Sequence, residues 1–124
     1  MRTAQPTDPY DTLVVEIEPA AVWALLDESY RHIKSWSQWD LPHQARAPLL
    51  QAVQSEPETV GIWLRVYRIE MRREQAEALR HRSDELGDGL QQMPNRGEHD
   101  IAAALKRAAR AFYQALRVGR PISR

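Results

Sequence analysis

The chain has 124 residues, no cysteine, 43% apolar residues, and 17 lysines and arginines balanced by 17 aspartates and glutamates. This length and composition predict one soluble domain around a single core, and the missing thiols exclude disulfides, thiolate metal sites and cysteine nucleophiles. No apolar run reaches the roughly 18 residues of a membrane span, and the polar, proline-containing stretch from Met1 to Tyr10 does not resemble a signal peptide, so the expected location is the cytoplasm with no membrane partner.

The neutral total is a cancellation. Through Glu58 the chain holds nine acidic and four basic residues, a net −5; the remainder holds thirteen basic and eight acidic residues, a net +5. Only Lys34 and Lys106 are lysines, so the cations are mostly guanidinium forks suited to carboxylates and aromatic rings.

In chain order, residues 1–18 read as an extended arm. Leu13 to Ile17 could form a short strand, but no second strand-like segment is evident to pair with it, and a lone strand leaves its backbone groups unpaired. Pro19 suits a first helical position and opens a predicted helix to about Ser35, with Val22, Leu25, Leu26, Ile33 and Trp36 on one face. Pro42 and Pro48 interrupt the next stretch, leaving a short helix over Pro48 to Gln54. Ser55 and Glu58 have capping-box spacing, which predicts a long helix running to about Arg82 and ended by Gly87 and Gly89. A last helix is expected from near Asp100 to Val118, capped by Gly119 and stopped by Pro121. The predicted fold is therefore all-α: a small bundle of three main helices and one short one. Its expected divisions are the arm at 1–18, one helical domain at 19–119 and a basic tail at 120–124.

Plotted at 100° per residue, the long central helix carries two apolar stripes, Val60, Trp63, Leu64, Tyr67, Met71 and Ala78 against Ile62, Val66 and Ile69. A helix apolar on both sides must be covered on both. Ile62, Val66 and Ile69 are thus candidates for a helix-packing interface with a second copy or another protein. Trp23, Trp36 and Trp63 suit burial, whereas Trp39 lies among polar loop neighbours and is a candidate anchor in a partner's pocket.

The last helix has no acidic residue after Asp100 and carries Lys106, Arg107, Arg110 and Arg117 across from its apolar stripe. These four residues are a solvated face, a set of phosphate contacts for nucleic acid, or a dock for an acidic surface such as the acidic half of a second copy. A helix-turn-helix is not evident. The four histidines are scattered; Glu77, His81 and Glu85 lie one turn apart but lack the Glu-x-x-His repeat of di-iron bundles. Phosphate-loop, dinucleotide, zinc-protease and nucleophile-elbow motifs are absent, so neither catalysis nor a cofactor or metal is expected. The sequence points to a non-catalytic interaction protein, homodimeric, that binds and modulates or sequesters another protein as an anti-activator or adaptor. The alternative is a transcriptional regulator that binds nucleic acid through the basic last helix.

Overall fold

The computed structural model describes residues 12–30, 43–62 and 64–118. Strand β1 (Thr12–Ile17) leads into α1 (Pro19–Leu26) and a single 3-10 turn at Glu28–Tyr30. Helix α2 (His43–Ala52) precedes strands β2 (Glu58–Val60) and β3 (Leu64–Arg72), and helices α3 (Arg73–Gln91) and α4 (Arg96–Val118) complete the fold. The three strands form an antiparallel sheet in the order β1-β3-β2.

This mixed architecture corrects the all-α expectation. The partner for β1 is β3, carved from residues assigned to the first half of the long central helix, and the two pair from Thr12 with Arg72 to Ile17 with Tyr67. The two opposite stripes have a simple cause. Residues two apart in a strand share a face, but on a helical projection they fall 200° apart, so a period-two pattern plots as two opposed stripes. Tyr67, Ile69 and Met71 are the buried members of that alternation, and Arg68, Glu70 and Arg72 the exposed ones. Their β-branched and aromatic side chains suit a half-buried strand.

The inward rows pair across the strands as Leu13 with Met71, Val15 with Ile69 and Ile17 with Tyr67, all buried. The same core contains the buried Val22 and Leu25 of α1, Leu49 of α2, Leu79, Leu86 and Leu90 of α3, and Leu105 and Phe112 of α4. On the other face Arg68 donates to Glu16 at 2.6 Å, a direct cross-strand ion pair. Fully burying aliphatic and aromatic side chains stabilises by about 1.5 to 3 kcal/mol each before chain entropy is subtracted, so this layer of helices on the sheet is the main source of stability.

Several helix limits also moved. Pro19 does open α1, but α1 ends at Leu26. Pro48, expected to start a helix, lies inside α2. The Ser55 to Glu58 signal leads into β2 instead of a helix. Helix α3 starts at Arg73, where the Arg72 amide donates to the Gln75 side chain at 2.7 Å, and it runs through Gly87 and Gly89. Helix α4 begins at Arg96, ahead of the expected start near Asp100, and is described to Val118; the expected cap Gly119 and stop Pro121 lie outside the described residues. Helices α3 and α4 are antiparallel: Arg73 at the start of α3 donates to the Leu116 carbonyl near the end of α4 at 2.9 Å, and Lys106 meets Asp84 and Asp88 in their middle.

Candidate interaction surface

Two exposed regions stand out from this framework. The first is the tip of the β2–β3 hairpin. Gly61 takes φ +67°, a left-handed conformation that glycine adopts without the strain a Cβ brings, and so reverses the chain there. Beside it Ile62 is 77% exposed, Leu64 is 50% exposed and Val60, paired with Leu64, is half-buried. The hairpin thus presents three neighbouring aliphatic side chains at one end of the sheet.

The second region is the seam between α3 and α4. Two adjoining hollows of about 700 and 260 Å³ share Arg80 and Tyr113 in their walls. Glu77, Leu116 and Arg117 complete the first; Asp84, Lys106 and Arg110 lie in the second. The Arg117 guanidinium sits over the Tyr113 ring, 5.8 Å from its centre. A further groove of about 540 Å³ separates Pro48, Gln51 and Ser55 from the β3 residues Arg68 to Arg72.

The candidate residues fall into different environments. Of the expected helix-packing trio, Ile62 is exposed at the hairpin tip, Ile69 is in the core against Val15, and Val66, on the opposite side of β3, is 3% exposed. The three residues do not share a surface, because they stand on a turn and on two faces of a strand. Trp39 lies outside the described residues, as do Trp36 and Trp63. Trp23, expected to be buried, is half-exposed on α1, whose buried positions are Ala21, Val22, Ala24 and Leu25.

The four basic residues of α4 also divide. Lys106 Nζ donates to Asp84 and Asp88, both at 2.8 Å, and these bonds raise its pKa above the ordinary lysine value despite partial burial. Arg107 forks onto both oxygens of Glu18, at 2.5 and 2.9 Å, and its pKa is raised by that bond. Arg117 is engaged with Tyr113, and Arg110 is exposed with no carboxylate partner among the described residues. Two of the four charges are therefore already balanced within the fold. A phosphate backbone would have to compete with those carboxylates for Lys106 and Arg107.

Arg80, which the sequence offers only as an ion-pair partner of nearby glutamates, and Tyr113 are not among the sequence-derived binding candidates. Tyr113 and Arg117 are four apart on one helix, a spacing that was available as a signal. Arg80 joins them only through the antiparallel packing of α3 on α4. Among the described residues no three histidines, aspartates or glutamates converge as a metal-ligating group, and no helix is long and apolar enough to cross a membrane. No protein family, curated protein or solved structure matches this chain.

Proposed function

We propose that this protein is a non-catalytic protein–protein interaction module, a small regulator that binds another protein and modulates or sequesters it, and that it self-associates through its β2–β3 hairpin. The observation that supports this reading best is the aliphatic hairpin tip, with Ile62 77% and Leu64 50% exposed beside Val60. Single exposed aliphatics are ordinary, but a cluster projecting from a tight turn contributes nothing to the fold's own core and is available for a partner. Covering Ile62 and Leu64 in an interface would stabilise a complex by about 1.5 to 3 kcal/mol per side chain at full burial, offset in part by association entropy.

Light scattering across micromolar concentrations tests the self-association. The wild type is expected to show a mass above that of one chain, and Ile62→Glu to return it to a monomer. A strictly monomeric wild type withdraws the homodimer, and a dimer indifferent to Ile62→Glu moves the interface elsewhere. Recovery from the native host of a protein held by the wild type and lost with Ile62→Glu would identify the second partner.

A further inference from the structure

We propose that the seam between α3 and α4 receives an acidic amphipathic helix of a partner protein, whose carboxylates pair with Arg80, Arg110 and Arg117 across the ring of Tyr113. This inference rests on the reading of the chain as an interaction module, but it uses a different surface from the hairpin.

Charge and spacing argue for that occupant. Arg110 and Arg117 are two helical turns apart, about 10.5 Å at 1.5 Å per residue, which is also the separation of carboxylates seven residues apart on a helix laid along the seam. Arg80 stands on the opposite wall, 3.9 Å from Asp84, a loose contact that leaves its guanidinium able to reach a second carboxylate. Between the cations the surface is apolar in part: Leu116 is buried, Ala109 lines the second hollow and Tyr113 is 50% exposed. Hollows of this size take a row of side chains from a helix, which is how one helix seats in the groove between two others.

A nucleic acid fits the same seam less well. Glu77 and Asp84 stand within it, and an unbroken run of phosphates would lie against both, whereas a helix can place neutral side chains there. Lys106 and Arg107, the neighbouring cations, are held by Asp84, Asp88 and Glu18.

The test uses fluorescence anisotropy with the full chain and three labelled probes. These are a helical peptide of roughly three heptads with glutamate every seventh residue beside a leucine stripe, the same peptide with lysine for glutamate, and single-stranded DNA of similar length. The acidic peptide is expected to bind with an affinity that falls as salt rises, and to lose about tenfold or more with the Arg110→Glu, Arg117→Glu double variant. Tyr113→Ala, which leaves the charges in place, should weaken it as well. Both substitutions are at exposed positions, and thermal unfolding of each variant checks that the fold is kept. Absence of binding by the acidic peptide, equal binding of the lysine peptide, or indifference to the double variant overturns the proposal; tighter binding of DNA lost in that variant gives the seam to nucleic acid instead. Ile62→Glu should leave peptide binding unchanged, so failure here is separable from failure of the hairpin interface.

Discussion

Gly87 of α3 faces Lys106 of α4 so closely that a Cβ on the glycine would stand 2.9 Å from Lys106 Cδ. The lysine stem crosses α3 at a position without a side chain, and its ammonium bonds Asp84 and Asp88 on either side of that crossing. A glycine inside a helix is ordinarily unfavourable by about 1 kcal/mol relative to alanine. Gly87→Ala alone is therefore expected to leave stability within about 0.5 kcal/mol of wild type, because the gain in helix propensity is offset by displacing the lysine stem. In a Lys106→Ala background the same change should stabilise by about 1 kcal/mol, the carbonyl of Ala102 at 3.4 Å being an ordinary contact. Urea unfolding of the four proteins measures the coupling, and equal effects in both backgrounds would contradict the crossing.

The same lysine predicts a pH dependence. Its hydrogen bonds to Asp84 and then Asp88 raise its pKa in the folded protein above the ordinary 10.5, outweighing the opposing effect of burial. A raised value means that the folded state holds the proton more tightly than the unfolded chain. The contribution is thus complete below the unfolded pKa and is lost as pH rises through the higher folded one. Wild type should exceed Lys106→Gln in stability by about 1 kcal/mol or less at pH 8, since the side chain is a third exposed, and the gap should close in strongly alkaline solution. Tyr30, whose pKa is raised by burial and then by Asp27 and Glu98, also destabilises the fold as alkali ionises it in the unfolded chain. That loss is common to both proteins and cancels in the difference.

What the sequence displayed and what it hid follow from the range of the interactions. A local rule located Pro19 at a helix start, because that position depends on a few neighbours. The capping spacing of Ser55 and Glu58 was equally local, yet tertiary pairing of Glu58 with Val66 drew that segment into a strand. Leu13 to Ile17 looks partnerless only because its partner, 50 or more residues away, falls on two opposed stripes when projected with the helical period. Gly87 and Gly89 carry the local signal of a helix end, and nothing near Gly87 in sequence announces that Lys106 needs the space. For the site, the cations of α4 were visible, but their neutralisation by Glu18, Asp84 and Asp88 comes from other elements and is set by the fold.

Ile62 and Ile69, assigned to one stripe on the helical projection, should now respond in opposite ways. Ile69 is 3% exposed and paired with Val15, so Ile69→Ala is expected to destabilise by about 2 to 5 kcal/mol through lost burial and the cavity left behind. Ile62→Glu removes no core contact and should change the stability of the monomer by no more than about 0.5 kcal/mol. Denaturant unfolding at a concentration low enough to avoid association separates the two. Similar losses for both variants would count against the strand assignment of β3.

Ser83 supplies the last prediction. It faces inward from α3 with no exposed surface, one turn beyond the buried Leu79, and its hydroxyl has no hydrogen-bond partner among the described residues. A hydroxyl stripped of water and left unbonded costs about 1 to 3 kcal/mol, whereas a methyl group in the same place carries no such penalty and favours the helix slightly. Loss of the small oxygen leaves a void of less than one methyl group, and the neighbouring leucines can close on it with little strain. Ser83→Ala is therefore expected to stabilise the protein by about 1 kcal/mol, a rise in melting temperature of roughly 3 to 5 °C for a domain of this size. Calorimetry checks it: a lower melting temperature for Ser83→Ala would mean that the hydroxyl is bonded in solution, and Ser83→Val would then be expected to lower it further.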